Sequence, residues 1–148
     1  MLFDLRNERI FLAGQSGMVG SAILRNLKRR FKKSSEKPVI LTPSRKELDL
    51  LDKEAVHKWF KNKKPTIVIV AAAKVGGIFA NNSSPASFLL DNLKIQNNII
   101  ESAWLNKTKR LLFLGSSCIY PKFAPQPIKE ESLLKSELEP TNQWYAIA

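Results

Sequence analysis

Apolar residues in this chain fall into four short unbroken runs, separated by stretches where they recur every three or four positions. The runs are Arg9–Ala13 (RIFLA), Val39–Thr42 (VILT), Thr66–Ala73 (TIVIVAAA) and Arg110–Leu114 (RLLFL). They are apolar throughout rather than alternating, so each predicts a strand buried on both faces. Helical spacing appears in Met18–Phe31 (Val19, Ile23, Leu24, Leu27, Phe31) and in Asp52–Lys61 (Val56, Trp59, Phe60). It returns in Pro85–Lys107 (Phe88, Leu89, Leu93, Ile99, Ile100, Ala103, Trp104), which predicts a long helix with a broad apolar face. Proline suits its first turn. Gly76-Gly77 and Asn81-Asn82-Ser83-Ser84 read as a loop, and so does Lys122–Asn142 with Pro125, Pro127 and Pro140. Tyr145–Ala148 reads as the first turn of a further helix.

Strands alternating with helices predict a doubly wound α/β domain, a parallel sheet covered on both faces. The expected spatial order of the four strands is 3-2-1-4. Ligands in such folds sit outside the carboxyl ends of the strands. Three predicted strands end in small-residue or hydroxyl-rich loops, Gly14–Gly20, Ala71–Gly77 and Gly115–Cys118, which predicts a nucleotide site along one edge of the sheet.

The spacing Gly14-x-x-Gly17-x-x-Gly20 lies between a predicted strand and a predicted helix. Glycine is needed where the chain turns tightly and where backbone N–H groups approach a pyrophosphate, so this context points to a Rossmann dinucleotide site rather than a plain turn. After the second strand an acidic residue would select NAD through the ribose 2′-OH. Here the chain reads Thr42-Pro43-Ser44-Arg45-Lys46, with no carboxylate before Glu47. Arg45 and Lys46 suit a 2′-phosphate and hence NADP(H), or else are two solvated loop cations. Asp52 is as well placed to cap a helix as to approach the adenine side.

Ser116, Ser117, Cys118 and Tyr120 follow the fourth strand, and Tyr145 lies 29 residues after Ser116. A serine hydroxyl can polarise a carbonyl while a phenol exchanges a proton with the same oxygen. A lysine four residues beyond the tyrosine would strengthen that phenol as an acid. That position lies immediately after Ala148.

Composition narrows the field. With 148 residues, 44% hydrophobic and 25% charged, the chain has globular rather than disordered composition and fits one domain. No apolar run is long enough for a transmembrane helix. The N-terminal MLFDLRNERIF carries acidic residues where a signal peptide has a basic head. One cysteine excludes an internal disulfide and suits a reducing cytoplasm. The net charge is +11, of which residues 1–64 hold +9 and residues 65–148 hold +2. Much of the excess is Arg25, Lys28, Arg29, Arg30, Lys32, Lys33 and Lys37. This run, with Phe31 its only aromatic, reads as a solvated helix end and not as a nucleic-acid patch. No metal-ligand spacing is present.

At the glycine loop and the Ser/Tyr positions the chain resembles the extended short-chain dehydrogenases/reductases, and within them the GDP-L-fucose synthase family. The stretches that carry the resemblance are GMVGSAI, RKELDLLD, AAAKVGGIFANN, LLFLGSSCIYP and LEPTNQWYAIA, spread over residues 11–148. The resemblance implies NADPH-dependent 3,5-epimerisation and 4-reduction of GDP-4-keto-6-deoxy-D-mannose to GDP-L-fucose. It implies a cofactor site of Gly14, Gly17, Met18, Val19, Gly20, Arg45, Asp49, Leu50, Leu51, Ala72, Ala73 and Lys74. Ser116 and Tyr145 would belong to a Ser–Tyr–Lys catalytic set, and Cys118 would be one of two epimerisation acid/base groups. A homodimer is expected, consistent with a Pro85–Lys107 helix apolar on more than one face.

Against that family the chain is expected to be the N-terminal part of the NADP-binding domain, without the catalytic lysine, the epimerase histidine or a nucleotide-sugar domain. The lone His57 sits in the predicted helix after Asp52 and is not their substitute. Ser16 stands where some members carry a basic residue. The 148 residues alone are therefore expected to be inactive. The alternative is a non-catalytic NADP-binding or assembly fragment of a nucleotide-sugar epimerase/dehydratase.

Overall fold

A computed structural model describes residues 4–148. Of the N-terminal stretch read above, Met1–Phe3 therefore lie outside the described residues. The chain forms two compact units, the first running up to Ala73 and including Ile95–Leu114, the second made of Lys74–Lys94 and Gly115–Ala148.

The first unit holds four parallel strands, β1 (Arg9–Ala13), β2 (Val39–Leu41), β3 (Ile67–Val70) and β4 (Arg110–Phe113), in the order β2-β1-β3-β4. The expected order 3-2-1-4 is thus corrected: β3 pairs with β1, not with β2. The reason is pairing: β1 lies between β2 and β3, and β3 between β1 and β4, so these two strands alone are covered along both edges. In β1, Ile10, Phe11, Leu12 and Ala13 are buried, and in β3 so are Ile67, Val68 and Val70. These two strands occupy the middle of the sheet, in register through Ile10 with Ile67 and Phe11 with Val68. Two further expectations fail for the same reason. The runs at β2 and β4 were expected to be buried, yet Val39 is exposed and every residue of β4 is exposed, because both are end strands.

Side chains leave successive strand residues on opposite faces. On one face Phe11, Ala13, Val68 and Val70 meet Leu48, Val56 and Phe60, with Ile99 and Ala103 from a long helix. On the other, Ile10 and Ile67 meet Leu27 and Phe31. Burying each large side chain contributes about 1.5–3 kcal/mol. The aromatic centre is tight, with Phe11 4.6 Å from Trp59 and edge-on to Phe60 at 5.5 Å.

Helix α1 (Met18–Arg30) begins at Gly17 and ends in Lys28, Arg29 and Arg30. The basic run therefore complements the negative end of the helix dipole. Helix α2 (Lys53–Lys63) starts where Asp52 accepts a hydrogen bond from the Ala55 N–H at 2.9 Å, and it stops at Lys64 in the left-handed region, φ 46°.

The second unit contains α3 (Ile78–Ser83), the N-terminal part of α4 (Pro85–Leu105), a 3-10 turn at Ser117–Ile119, another at Glu130–Ser132, and α5 (Gln143–Ile147). Helix α3 replaces the loop expected there. The Asn81 amide donates to the carbonyls of Gly76 and Gly77 at 2.8 and 3.1 Å and ties this short helix to its own approach. The 122–142 segment is closed by Lys122, whose N–H donates to Glu137 O at 3.0 Å and whose ammonium pairs with Glu139 at 2.9 Å.

Candidate functional site

In the first unit the chain leaves β1 through Gly14 at φ +87°, a conformation an L side chain rarely adopts. A Cβ there would lie 2.2 Å from Ala71 O, so the turn is pressed against the end of β3. The Gly17 N–H donates to Gly14 O at 3.0 Å. A Cβ on Gly20 would lie 2.0 Å from Gly14 O, so α1 starts against the turn itself. Gly17 is different: it is exposed, and a Cβ there would meet only Gly14 O, at 3.4 Å. No side chain caps α1 and no acid occupies its first turn. The N–H groups of Met18, Val19 and Gly20 therefore open a helix without intrahelical acceptors; Met18 is 88% exposed. Those features fit an anionic pyrophosphate, since the backbone can be approached closely and the dipole favours negative charge.

The loop after β2 is tied to this turn, because the Gln15 amide donates to Pro43 O at 3.1 Å. Arg45 and Lys46 are exposed there. Glu47 accepts from both the N–H and the hydroxyl of Ser44 at 2.8 Å, which holds its carboxyl below the ordinary range. The other two acids of this stretch also do local work. Asp49 accepts from the Leu51 N–H at 3.0 Å, and Asp52 caps α2. Leu50 is held by the Asn98 amide, which donates to its carbonyl at 2.9 Å, and Ala72 packs against the core while Ala73 is exposed. His57 lies 3.6 Å from Glu101, which also pairs with Lys53 at 2.9 Å.

In the second unit Lys74 is already engaged. Its ammonium pairs with Asp91 at 2.7 Å, reaches the Ser87 hydroxyl and lies 5.6 Å from the centre of the Phe88 ring. The ammonium beside Asp91 holds that carboxyl below its ordinary range. The backbone of Lys74 is clamped by buried Asn92. The Asn92 carbonyl accepts from Lys74 N at 2.7 Å, and its amide donates to Lys74 O at 3.0 Å and Phe88 O at 2.8 Å. Sequence reading missed Asn92. Its signal was a polar residue four positions after Phe88 in an otherwise apolar stripe.

Also in the second unit, Ser116 accepts a hydrogen bond from the Cys118 N–H at 3.2 Å and opens the 3-10 turn. Helix α5, which carries Tyr145, packs against that turn. Ser116, Cys118 and Tyr145 are all partly buried. The structure thus brings the serine–cysteine turn and the tyrosine helix together. A second residue missed in the sequence is Asn142, whose amide donates to Cys118 Sγ at 3.4 Å. Among the described residues no cluster of three or more His, Cys, Asp or Glu could hold a metal ion, and no helix is long and apolar enough to cross a membrane.

A parallel sheet whose first strand feeds a glycine turn and a bare helix start defines a Rossmann-like NAD(P)-binding fold. More narrowly, the chain belongs to the NAD dependent epimerase/dehydratase family, whose pattern it matches over residues 10–148. It is 51% identical over 147 residues to a GDP-L-fucose synthase of Sinorhizobium fredii, covering 99% of this chain and 45% of that protein. It is likewise 51% identical over 144 residues to the GDP-L-fucose synthase of Escherichia coli, covering 97% and 43%. Among solved structures, a GDP-mannoheptose C4 reductase from Campylobacter jejuni with NADP bound superposes with a TM-score of 0.87. It is 38% identical, and the match covers 95% of this chain and 43% of that one. The chain therefore spans less than half the length of these relatives.

Proposed function

We propose that this chain supplies the cofactor-binding and acid–base residues of a GDP-L-fucose synthase, which epimerises GDP-4-keto-6-deoxy-D-mannose at C3 and C5 and reduces it at C4. The packing of the Ser116–Cys118 turn against the Tyr145 helix carries the reading. A thiol and two hydroxyls drawn from these two neighbouring elements are the groups that one carbonyl substrate would need. The relatives named GDP-L-fucose synthase support the substrate. The bare start of α1 and the exposed Arg45 support NADP(H) as the cofactor, and so does the NADP-bound reductase at 38% identity.

A 4-keto group acidifies the protons on C3 and C5. The Cys118 sulfur exchanges such a proton on one face of the enolate and a second acid/base group serves the opposite face, while the Ser116 and Tyr145 hydroxyls donate hydrogen bonds to the enolate oxygen. Tyr145 then gives its proton to the C4 oxygen. NADPH, when bound, supplies the hydride to C4. Gly14, Gly17, Met18, Val19 and Gly20 would hold its pyrophosphate and Arg45 its 2′-phosphate. Asp49, Leu50, Leu51, Ala72 and Ala73 would line its adenine and ribose path. Lys74, bound to Asp91, would contribute a fixed loop rather than a free cation. The reading places the protein in the cytoplasm as a homodimer, with Ile100, Trp104 and Leu105 of α4 exposed for a second subunit.

Titration of tryptophan fluorescence with NADPH and NADH tests the cofactor step. NADPH binds more tightly, and Arg45→Ala removes the preference; equal affinities in the parent protein refute it. Catalysis is tested on residues 1–148 joined to the remainder of the Escherichia coli relative. Solvent deuterium enters C3 and C5 and Cys118→Ser stops it. A folded, NADPH-binding chimera without exchange refutes the acid–base role.

A further inference from the structure

We propose that Asn142 is the positioning residue of Cys118, fixing its sulfur relative to the helix that carries Tyr145 by an amide hydrogen bond; this rests on the acid–base role of Cys118 proposed above. The Asn142 Nδ2 donates to Cys118 Sγ at 3.4 Å, within the longer reach of bonds to sulfur. A donor aimed at sulfur fixes where the sulfur lies and which of its lone pairs stay open to a reactant.

The side chain is held from behind. Glu139 O accepts from Asn142 N at 3.1 Å, and Glu139 itself is fixed by Lys122 at 2.9 Å and by the Thr141 hydroxyl at 3.1 Å. Asn142 O accepts from Ala146 N at 3.0 Å, so the residue that reaches the thiol also begins the helix carrying Tyr145. On its other side Cys118 is tied through its N–H to Ser116. One residue thereby fixes the sulfur relative to the tyrosine helix.

A second observation sets Asn142 apart from an ordinary packing residue. Its Oδ1 is buried with no partner. A buried acceptor without a donor is disfavoured and calls for an explanation. An amide kept for its Nδ2–H on sulfur supplies one, since the carbonyl then goes wherever the sulfur contact leaves it.

Cys118 is the only cysteine in the chain, so alkylation by iodoacetamide reads this one thiol and needs neither substrate nor cofactor. Asn142→Asp keeps the size but replaces the donor with a carboxylate, and Asn142→Ala removes the amide. The alkylation rate falls about threefold in the Ala variant, where the sulfur is no longer held, and about tenfold in the Asp variant, where a carboxylate stands against it. A packing role alone predicts the reverse for Asn142→Ala, because opening space around the sulfur speeds the reagent. Rates in both variants within twofold of the parent, or faster, with unchanged circular dichroism, overturn the proposal. Loss of deuterium exchange is a separate measurement, so a chimera that fails to exchange refutes the role of Cys118 while the alkylation result still decides the role of Asn142.

Discussion

The three glycines of the first turn differ in what a methyl group would strike, and substituting each with alanine separates folding from cofactor binding. At Gly14 the left-handed backbone costs an L residue about 1–2 kcal/mol, and a Cβ 2.2 Å from Ala71 O adds about 1–3 kcal/mol of overpacking. The total is about 2–5 kcal/mol. Gly20 has no such backbone term, but its Cβ at 2.0 Å from Gly14 O must be relieved to about 3.4 Å. The turn and the start of α1 then part by over an ångström, which costs about 1–3 kcal/mol. Gly17 has room, and Gly17→Ala costs only about 0.5–1 kcal/mol as a poorer helix cap. In urea, with a slope of about 2 kcal/mol/M, the midpoint falls by about 1–2.5 M for Gly14→Ala and at most about 0.5 M for Gly17→Ala. Fluorescence titration reverses the ranking among folded variants. Gly17→Ala, whose methyl stands on the open helix start, loses about tenfold in NADPH affinity, or about 1.4 kcal/mol. Equal midpoint shifts for Gly14→Ala and Gly17→Ala, or unchanged NADPH affinity in Gly17→Ala, would show that this turn is not built as described.

Asn92→Ala removes three hydrogen bonds around Lys74 and Phe88. At about 0.5–1.5 kcal/mol each it destabilises the protein by about 1.5–4.5 kcal/mol in urea unfolding, and hydrogen exchange at the Lys74 amide accelerates. A midpoint equal to that of the parent contradicts the clamp. The Glu8 carboxylate accepts from Lys109 at 2.7 Å, and this bond, with a smaller contribution from Thr66, holds its carboxyl below the usual range. The folded protein therefore binds that proton more weakly than the unfolded chain, where glutamate titrates near about 4.3. The resulting stability is complete above that value and is lost as pH falls through the lowered folded value. A plot of Tm against pH in Glu8→Gln is flatter over the acid limb than in the parent; parallel curves would remove this assignment.

The elements were legible wherever a local pattern decides them. β1 occupies Arg9–Ala13 and α1 starts at Met18, as the apolar run and the glycines indicate. Asp52 caps α2 because a short acceptor before an apolar helical stretch has little else to do. Position in the sheet was not legible, because VILT and RLLFL look as buried as RIFLA while being end strands. Burial there depends on which strand lies alongside, which no window of sequence contains. Helix α3 was hidden because IFANNS reads as turn chemistry, and its order comes from Asn81 bonding back to Gly76 and Gly77. In the candidate site, the Ser116–Cys118 turn and Tyr145 were marked by residue type and spacing. Asn142 was not, since its bond to Cys118 joins residues 24 positions apart.

The outermost strand has a consequence for handling the protein. β4 presents Leu111, Leu112 and Phe113 to solvent on an end strand, with Leu112 52% exposed. An apolar strand of this kind is a template on which other copies can stack edge to edge. What keeps molecules apart is the net charge of +11, a repulsion that reaches only about 10 Å at 0.1 M salt. Colloidal stability of this chain is therefore greatest in dilute buffer and declines as salt is added.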